Sequence, residues 1–203
     1  MPGRFFLTTT MRDVGQWVSA DASAVEDEPP RRNIAPGQEV VCLTSSGFQR
    51  MRWGIIPVGR VNARGRPVME TIINARSETV FDKSAFEGTG RAVIIVDGWY
   101  EWTGEARRKT AWLISGDEPL IFAAITDVWK APGGREVRQV AAVTCAPNAD
   151  VAPIHHRMGV LLEKQDVPLW LEGSPEEVGP LMVPWPDGRL KIEEASDVDW
   201  DAP

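Results

Sequence analysis

Three strand-length apolar runs, Arg91–Val96, Leu120–Trp129 and Val137–Thr144, lie close together in the chain, separated by Gly- and Pro-containing turns and never by a helical stretch. Runs of that length bounded by turn residues read as buried strands. Many strands, few short helices and no strand–helix–strand alternation give an α+β or mostly β single domain. The flanking text agrees. Arg4–Thr10, Gln38–Thr44, Phe48–Ile55 and Ala111–Ser115 read as further strands, and Val160–Leu162 ends another. Trp99–Trp102 extends the 91–96 run, and Thr103–Lys109 form a polar connection. Thr10 suits the N-cap of a short helix with Val14, Trp17 and Val18 on one face, and short helices are expected near 165–171 and 175–182. The segments 21–32, with Pro29-Pro30, and 57–70, with two Gly and two Pro, read as loops. The expected architecture is a single α+β domain over residues 1–203, strand-rich, with a curved barrel-like sheet and a few short helices. Residues 186–203 read as an acidic, loose tail.

Charge is uneven along the chain. The net charge is −7, but residues 1–110 hold 15 Lys and Arg against 13 Asp and Glu, while residues 111–203 hold 7 against 16. Six arginines (Arg50, Arg52, Arg60, Arg64, Arg66, Arg76) and one acid, Glu70, fall within 50–76. Arg suits forked phosphate contacts and stacking on flat rings, so this stretch reads either as a polyanion surface or as a solvated loop. No apolar run approaches the ~20 residues of a membrane span. The start, MPGRFFLTTT, lacks a secretory pattern, so a cytoplasmic setting is expected. Cys42 and Cys145 lie in apolar strand text and read as inert buried thiols. Two cysteines and one adjacent His pair offer no spaced metal-ligand set, and no metal or other cofactor is expected. Nine Trp against one Tyr implies either a Trp-rich core or flat stacking faces.

Four polar groupings break the pattern. They are Gly3-Arg4 before the first strand, Asn74-Ala75-Arg76-Ser77-Glu78, Asp97-Gly98-Trp99-Tyr100-Glu101-Trp102, and Ile154-His155-His156-Arg157-Met158. Glu101, between two aromatic rings, is either a desolvated carboxyl with a raised pKa suited to moving protons, or an outward residue on an alternating strand. His155 or His156 could act as acid or base, or serve structure. Asn74 could orient a substrate or simply cap a turn. Trp53 offers either a stacking face or a core side chain.

Taken in order, these segments resemble the SOS-response-associated peptidase family, the abasic-site processing proteins. The matching text is Gly3-Arg4-Phe5, Asn33-Ile34-Ala35-Pro36, Trp53-Gly54-Ile55-Ile56-Pro57, Asn74-Ala75-Arg76-Ser77-Glu78-Thr79, Asp97–Trp102, Phe122-Ala123-Ala124-Ile125 and His155-His156-Arg157-Met158. The resemblance covers nearly the whole chain. It implies recognition of abasic sites in single-stranded DNA by a monomer. Asn74, Glu101 and His155 would surround the N-terminal nucleophile. Gly3, Arg4, Arg76 and Arg157 would hold the backbone, and Pro36, Trp53 and Met158 would contact flanking bases. The family pattern, His-x-Arg-Met, selects His155 over His156.

At the nucleophile the chain departs from the family. Once the initiator Met is removed, the family presents a Cys whose amine and thiol trap the abasic aldehyde as a thiazolidine. Here Pro2 occupies that position, so neither that ring nor Cys-type self-cleavage is available. In one reading Met1 is removed, which the small Pro2 permits, and the Pro2 secondary amine forms an iminium ion with the aldehyde. In another the chain binds DNA without covalent capture. In a third Pro2 is not the natural residue. A peptidase acting on other proteins would need a Ser/His/Asp set that is not recognisable. Gly159 stands where the family usually has Pro, away from the proposed chemistry.

Overall fold

The computed structural model describes residues 2–56, 71–82, 86, 88–105, 108–130 and 133–201. The loop expected at 57–70, with Arg60, Arg64 and Arg66, lies outside the described residues. Among the described residues ten strands form one sheet: β1 (Arg4–Leu7), β2 (Arg31–Ile34), β3 (Glu39–Thr44), β4 (Gly47–Trp53), β5 (Asn74–Arg76), β6 (Gly90–Thr103), β7 (Thr110–Lys130), β8 (Glu136–Cys145), β9 (Met158–Gly159) and β10 (Lys191–Glu194). Three short helices accompany them: α1 (Met11–Val18), α2 (Val167–Glu172) and α3 (Pro175–Val178). β3, β4, β8, β7 and β6 pair in that order, and β6 pairs back with β3, so the five strands close into a barrel. Closure removes the sheet edges that an open array of this kind would leave. The fold is α+β with a barrel-like sheet, as the apolar runs imply.

The barrel fills with aromatic rings. Phe5 stacks on Trp53 at a centroid distance of 4.3 Å and meets Phe122 edge-on at 5.0 Å, and Trp99 meets Phe122 edge-on at 5.4 Å. All four side chains are fully buried. Thus β1 is anchored by its own aromatic residue in the barrel core. Gly159 matters to the same cluster, because a Cβ there would stand 2.2 Å from the Phe122 ring. Cys42 and Cys145 are buried, and burial raises both thiols, Cys145 to about 11. Neither is poised as a nucleophile.

β6 and β7 form one long hairpin with an interruption. Val96 faces Leu120 and Gly98 faces Ser115, so Gly116–Pro119 stand opposite the single residue Asp97. Beyond this irregularity the outer half of the hairpin, 98–103 against 110–115, leaves the barrel. β1 lies along it, with Arg4 opposite Tyr100 and Phe5 opposite Trp99. Asp97 locks this arrangement. One of its carboxylate oxygens accepts from Thr8 N at 2.6 Å, Thr8 Oγ1 at 2.9 Å and Thr9 N at 2.9 Å. Asp97→Ala strands these donors and is expected to cost about 2 kcal/mol, seen as a lower denaturation midpoint. Retained stability would remove Asp97 from the anchoring of the N-terminal segment.

Two segments find partners that composition does not announce. The tail read as loose is held at two places. β10 pairs with β7 over Lys191–Glu194, and Trp200 packs edge-on against Tyr100 at 5.0 Å and tilted against Trp102 at 5.2 Å. The acidic composition hides a strand that exists through pairing, not propensity. The basic stretch is also partly neutralised. Arg50 binds Asp27 and Glu28, the latter shared with Arg31, so the acidic loop supplies its counter-charges. Among the described residues no helix is long and apolar enough to cross a membrane.

Candidate functional site

The C-terminal end of β8 collects two short strands. β5 pairs parallel to it, with Asn74 opposite Ala142 and Arg76 opposite Thr144. β9 pairs antiparallel, with Met158 opposite Cys145 and Gly159 opposite Thr144. These pairings draw together residues some eighty positions apart. The outer half of β6 then brings Glu101, and β1 brings the start of the chain.

Asn74 meets that start directly: its Nδ2 donates to the Pro2 carbonyl at 3.0 Å. Its Oδ1 is buried and has no hydrogen-bond partner among the described residues. An amide with one half engaged and the other open can orient a second group beside Pro2. Pro2 itself is buried.

Glu101 is 3% exposed. Burial raises its carboxyl to about 7, against a partial pull downward from the positive chain terminus and from Trp99. Near neutral pH it therefore exists in both protonation states, which is the condition for passing protons. The alternative, an outward-facing Glu, is excluded by its burial.

His155 sits in the tight turn before β9, where its N–H donates to the Val151 carbonyl at 2.9 Å. Its Nδ1 lies 3.0 Å from Arg157 N and 3.1 Å from the Arg157 carbonyl, so the tautomer sets whether it accepts from the one or donates to the other. Burial lowers the imidazole to about 4, helped by the positive chain terminus and opposed by its bond to the Arg157 backbone. The ring is neutral at pH 7. His156 stacks on it at 4.3 Å and is exposed. The chain terminus perturbs both Glu101 and His155, and Asn74 holds Pro2, so all three side chains converge on one place.

The cations are arranged unequally. Arg76 is exposed. Arg4 Nε donates to Asn33 Oδ1 at 3.0 Å and its NH1 to the Gly3 carbonyl at 2.9 Å. Arg157 is clamped by the Glu78 carboxylate through both terminal nitrogens, and one of these also donates to the Thr144 carbonyl. The guanidinium in turn holds the Glu78 carboxyl down at about 2. Glu78 and Thr144 carry no site role in the sequence reading. Their partner lies too far along the chain for any local spacing to reveal it.

Two residues expected to contact bases lie inside the protein. Trp53 is fully buried, stacked on Phe5, and its indole N–H donates to the Ile73 carbonyl at 3.0 Å. Met158 is fully buried and its sulfur accepts from Asn148 N at 3.2 Å. Neither presents a face to a base. Pro36 is half-buried in the turn preceding β3, where Gly37 N donates to the Trp53 carbonyl at 2.8 Å. Among the described residues no group of His, Cys, Asp and Glu is placed to hold a metal ion.

Known proteins resemble the chain along most of its length. The abasic site processing protein YoqW of Bacillus subtilis (strain 168) is 29% identical over 191 residues, covering 89% of this chain and 83% of that protein. The abasic site processing protein YedK of Escherichia coli (strain K12) is 28% identical over 187 residues, covering 84% and 79%. A crystal structure of a protein from Bacteroides thetaiotaomicron shares the fold, with a TM-score of 0.82 at 20% identity over 96% of this chain and 92% of that one. The model of the family described as SOS response associated peptidase matches residues 1–198, and the chain belongs to that family.

Proposed function

We propose that this protein acts in the response to DNA damage by recognising abasic sites in single-stranded DNA and engaging their open-chain aldehyde with the Pro2 amine. Family membership and relatives named for abasic site processing support the DNA-damage role. The chemistry rests on one observation: a carboxyl poised near neutrality and an amide with an open acceptor meet at the start of the chain.

With Met1 removed, the Pro2 nitrogen lone pair adds to the aldehyde carbon and the amine proton passes to the carbonyl oxygen. The carbinolamine takes one proton from neutral Glu101 and loses water, leaving an iminium ion beside the new carboxylate. An α-amino group with a pKa of about 7.7–8.0 is partly neutral at physiological pH. His155, neutral at pH 7, serves as a hydrogen-bonding group and not as the proton reservoir. Arg4, Arg76 and Arg157 supply phosphate contacts, Arg157 by exchanging the Glu78 carboxylate in its fork for a phosphate.

The test is incubation of the protein with an abasic oligonucleotide and borohydride. A reduced, gel-shifted adduct that disappears on N-terminal acetylation is expected. Binding without any adduct would replace the amine chemistry with the non-covalent reading, in which the chain retains the family's DNA recognition and lacks its nucleophile.

A further inference from the structure

The outer face of β6 carries aromatic rings that the chemistry at Pro2 does not use. Tyr100 and Trp102 alternate with Trp99 and Glu101 along the strand, so they point away from the reacting groups. Arg4, directly opposite Tyr100, shares their face. The result is a small platform of two flat rings edged by a guanidinium, adjoining the start of the chain. Rings and Arg in this arrangement are what single-stranded nucleic acid uses for stacking and phosphate contact.

The C-terminal segment lies on that platform. Trp200 contacts both rings. Asn33 Nδ2 donates to the Trp200 carbonyl at 2.9 Å and to the Asp199 carbonyl at 3.3 Å, while its Oδ1 accepts from Arg4. The segment reads Asp197-Val198-Asp199-Trp200-Asp201, one flat ring set among three carboxylates. An anion alternating with an aromatic ring is the chemical pattern of a nucleotide strand. The attachment is light. Trp200 is only half-buried, and Asp197, Asp199 and Asp201 are exposed. Its root is firm, because β10 pairs through Glu194 and Ala195 N donates to the Ala111 carbonyl at 2.8 Å.

We propose that the Arg4, Asn33, Tyr100 and Trp102 face is a stacking surface for the single-stranded DNA flanking the abasic site, and that Asp197–Asp201 occupies it in the unbound chain as an intramolecular mimic. This rests on the DNA reading above. The segment is a competitor that strand binding must displace, so the apparent affinity falls by the fraction of chains in which the face is open.

The experiment compares the full chain with a version ending at Ala195, which retains every β10 pairing. The probe is a fluorescent single-stranded oligonucleotide bearing a tetrahydrofuran abasic analogue, which has no aldehyde and so reports binding alone. The shortened chain is expected to bind about five- to tenfold more tightly, with a melting temperature lowered only by the loss of the Trp200 ring contacts. A full-length Asp197→Asn, Asp199→Asn, Asp201→Asn variant keeps Trp200 in place and is expected to recover part of that gain. Should the full chain bind the oligonucleotide while both variants bind no better, the segment is a structural cover only and the proposal is overturned. Should neither the full chain nor the variants bind, the DNA reading itself fails and the proposal falls with it.

Discussion

Glu101→Gln is expected to make the folded protein more stable at pH 8 by up to about 3 kcal/mol, while abolishing most adduct chemistry. The stability effect follows from linkage. Burial raises the folded carboxyl from 4.5 to about 7, and a change of that size is worth about 3 kcal/mol. Below pH 4.5 the carboxyl is protonated in both states and nothing is lost. As pH rises towards 7 the unfolded chain sheds the proton and the folded chain keeps it, so stability falls. Above 7 the folded protein carries a buried carboxylate and the loss is complete. Gln removes this limb without changing shape. The His155 contribution runs the other way. Its folded imidazole is depressed from 6.5 to about 4, so the stability it confers is present above 6.5 and is lost as pH falls through 4. Denaturation curves of the two proteins at pH 5 and pH 8 separate these effects. A stability difference that stays constant between the two pH values would mean that Glu101 is not desolvated. In chemistry, loss of a positioned proton donor typically costs about 10²–10⁴-fold in rate. DNA affinity should stay nearly constant, because Glu101 holds no phosphate. An unchanged rate of borohydride-trapped adduct would remove Glu101 from the mechanism.

Trp53→Ala is expected to cost about 3–5 kcal/mol, the range for emptying a buried Trp site. The indole fills the barrel against Phe5, and its N–H satisfies the Ile73 carbonyl. Because Phe5 belongs to β1, the vacancy also loosens the strand that delivers Pro2. Trp53→Phe separates packing from recognition, since it keeps a ring in the barrel. That variant should bind single-stranded DNA as the parent does, at somewhat lower stability. A Trp53→Ala protein of parental stability with weakened DNA binding would restore Trp53 as a base-contacting residue.

The sheet was legible where burial wrote itself into composition. The continuous apolar runs of β6, β7 and β8 announce barrel strands, and Thr10 does cap α1, its hydroxyl accepting from Asp13 N at 3.2 Å. What escaped has a common physical origin. β2, β5 and β10 are three or four residues long and polar, and they are strands only because a neighbour offers its edge. The convergence of Asn74, Glu101 and His155 was readable only through resemblance, since three separate pairings, β5 and β9 on β8 and β1 on β6, produce it. Side-chain direction was the least legible feature. Trp53 and Met158 sit in motifs that suggest contact with DNA, yet both side chains are buried in the core. The counter-charge on Arg157 was equally hidden, because Glu78 arrives from another part of the chain.

The mismatch at Asp97, where four residues of β7 face one of β6, divides labour along a single hairpin. The distal arm is the working end, carrying Glu101 and, through β1, the start of the chain, while the closed barrel behind it is the fixed handle.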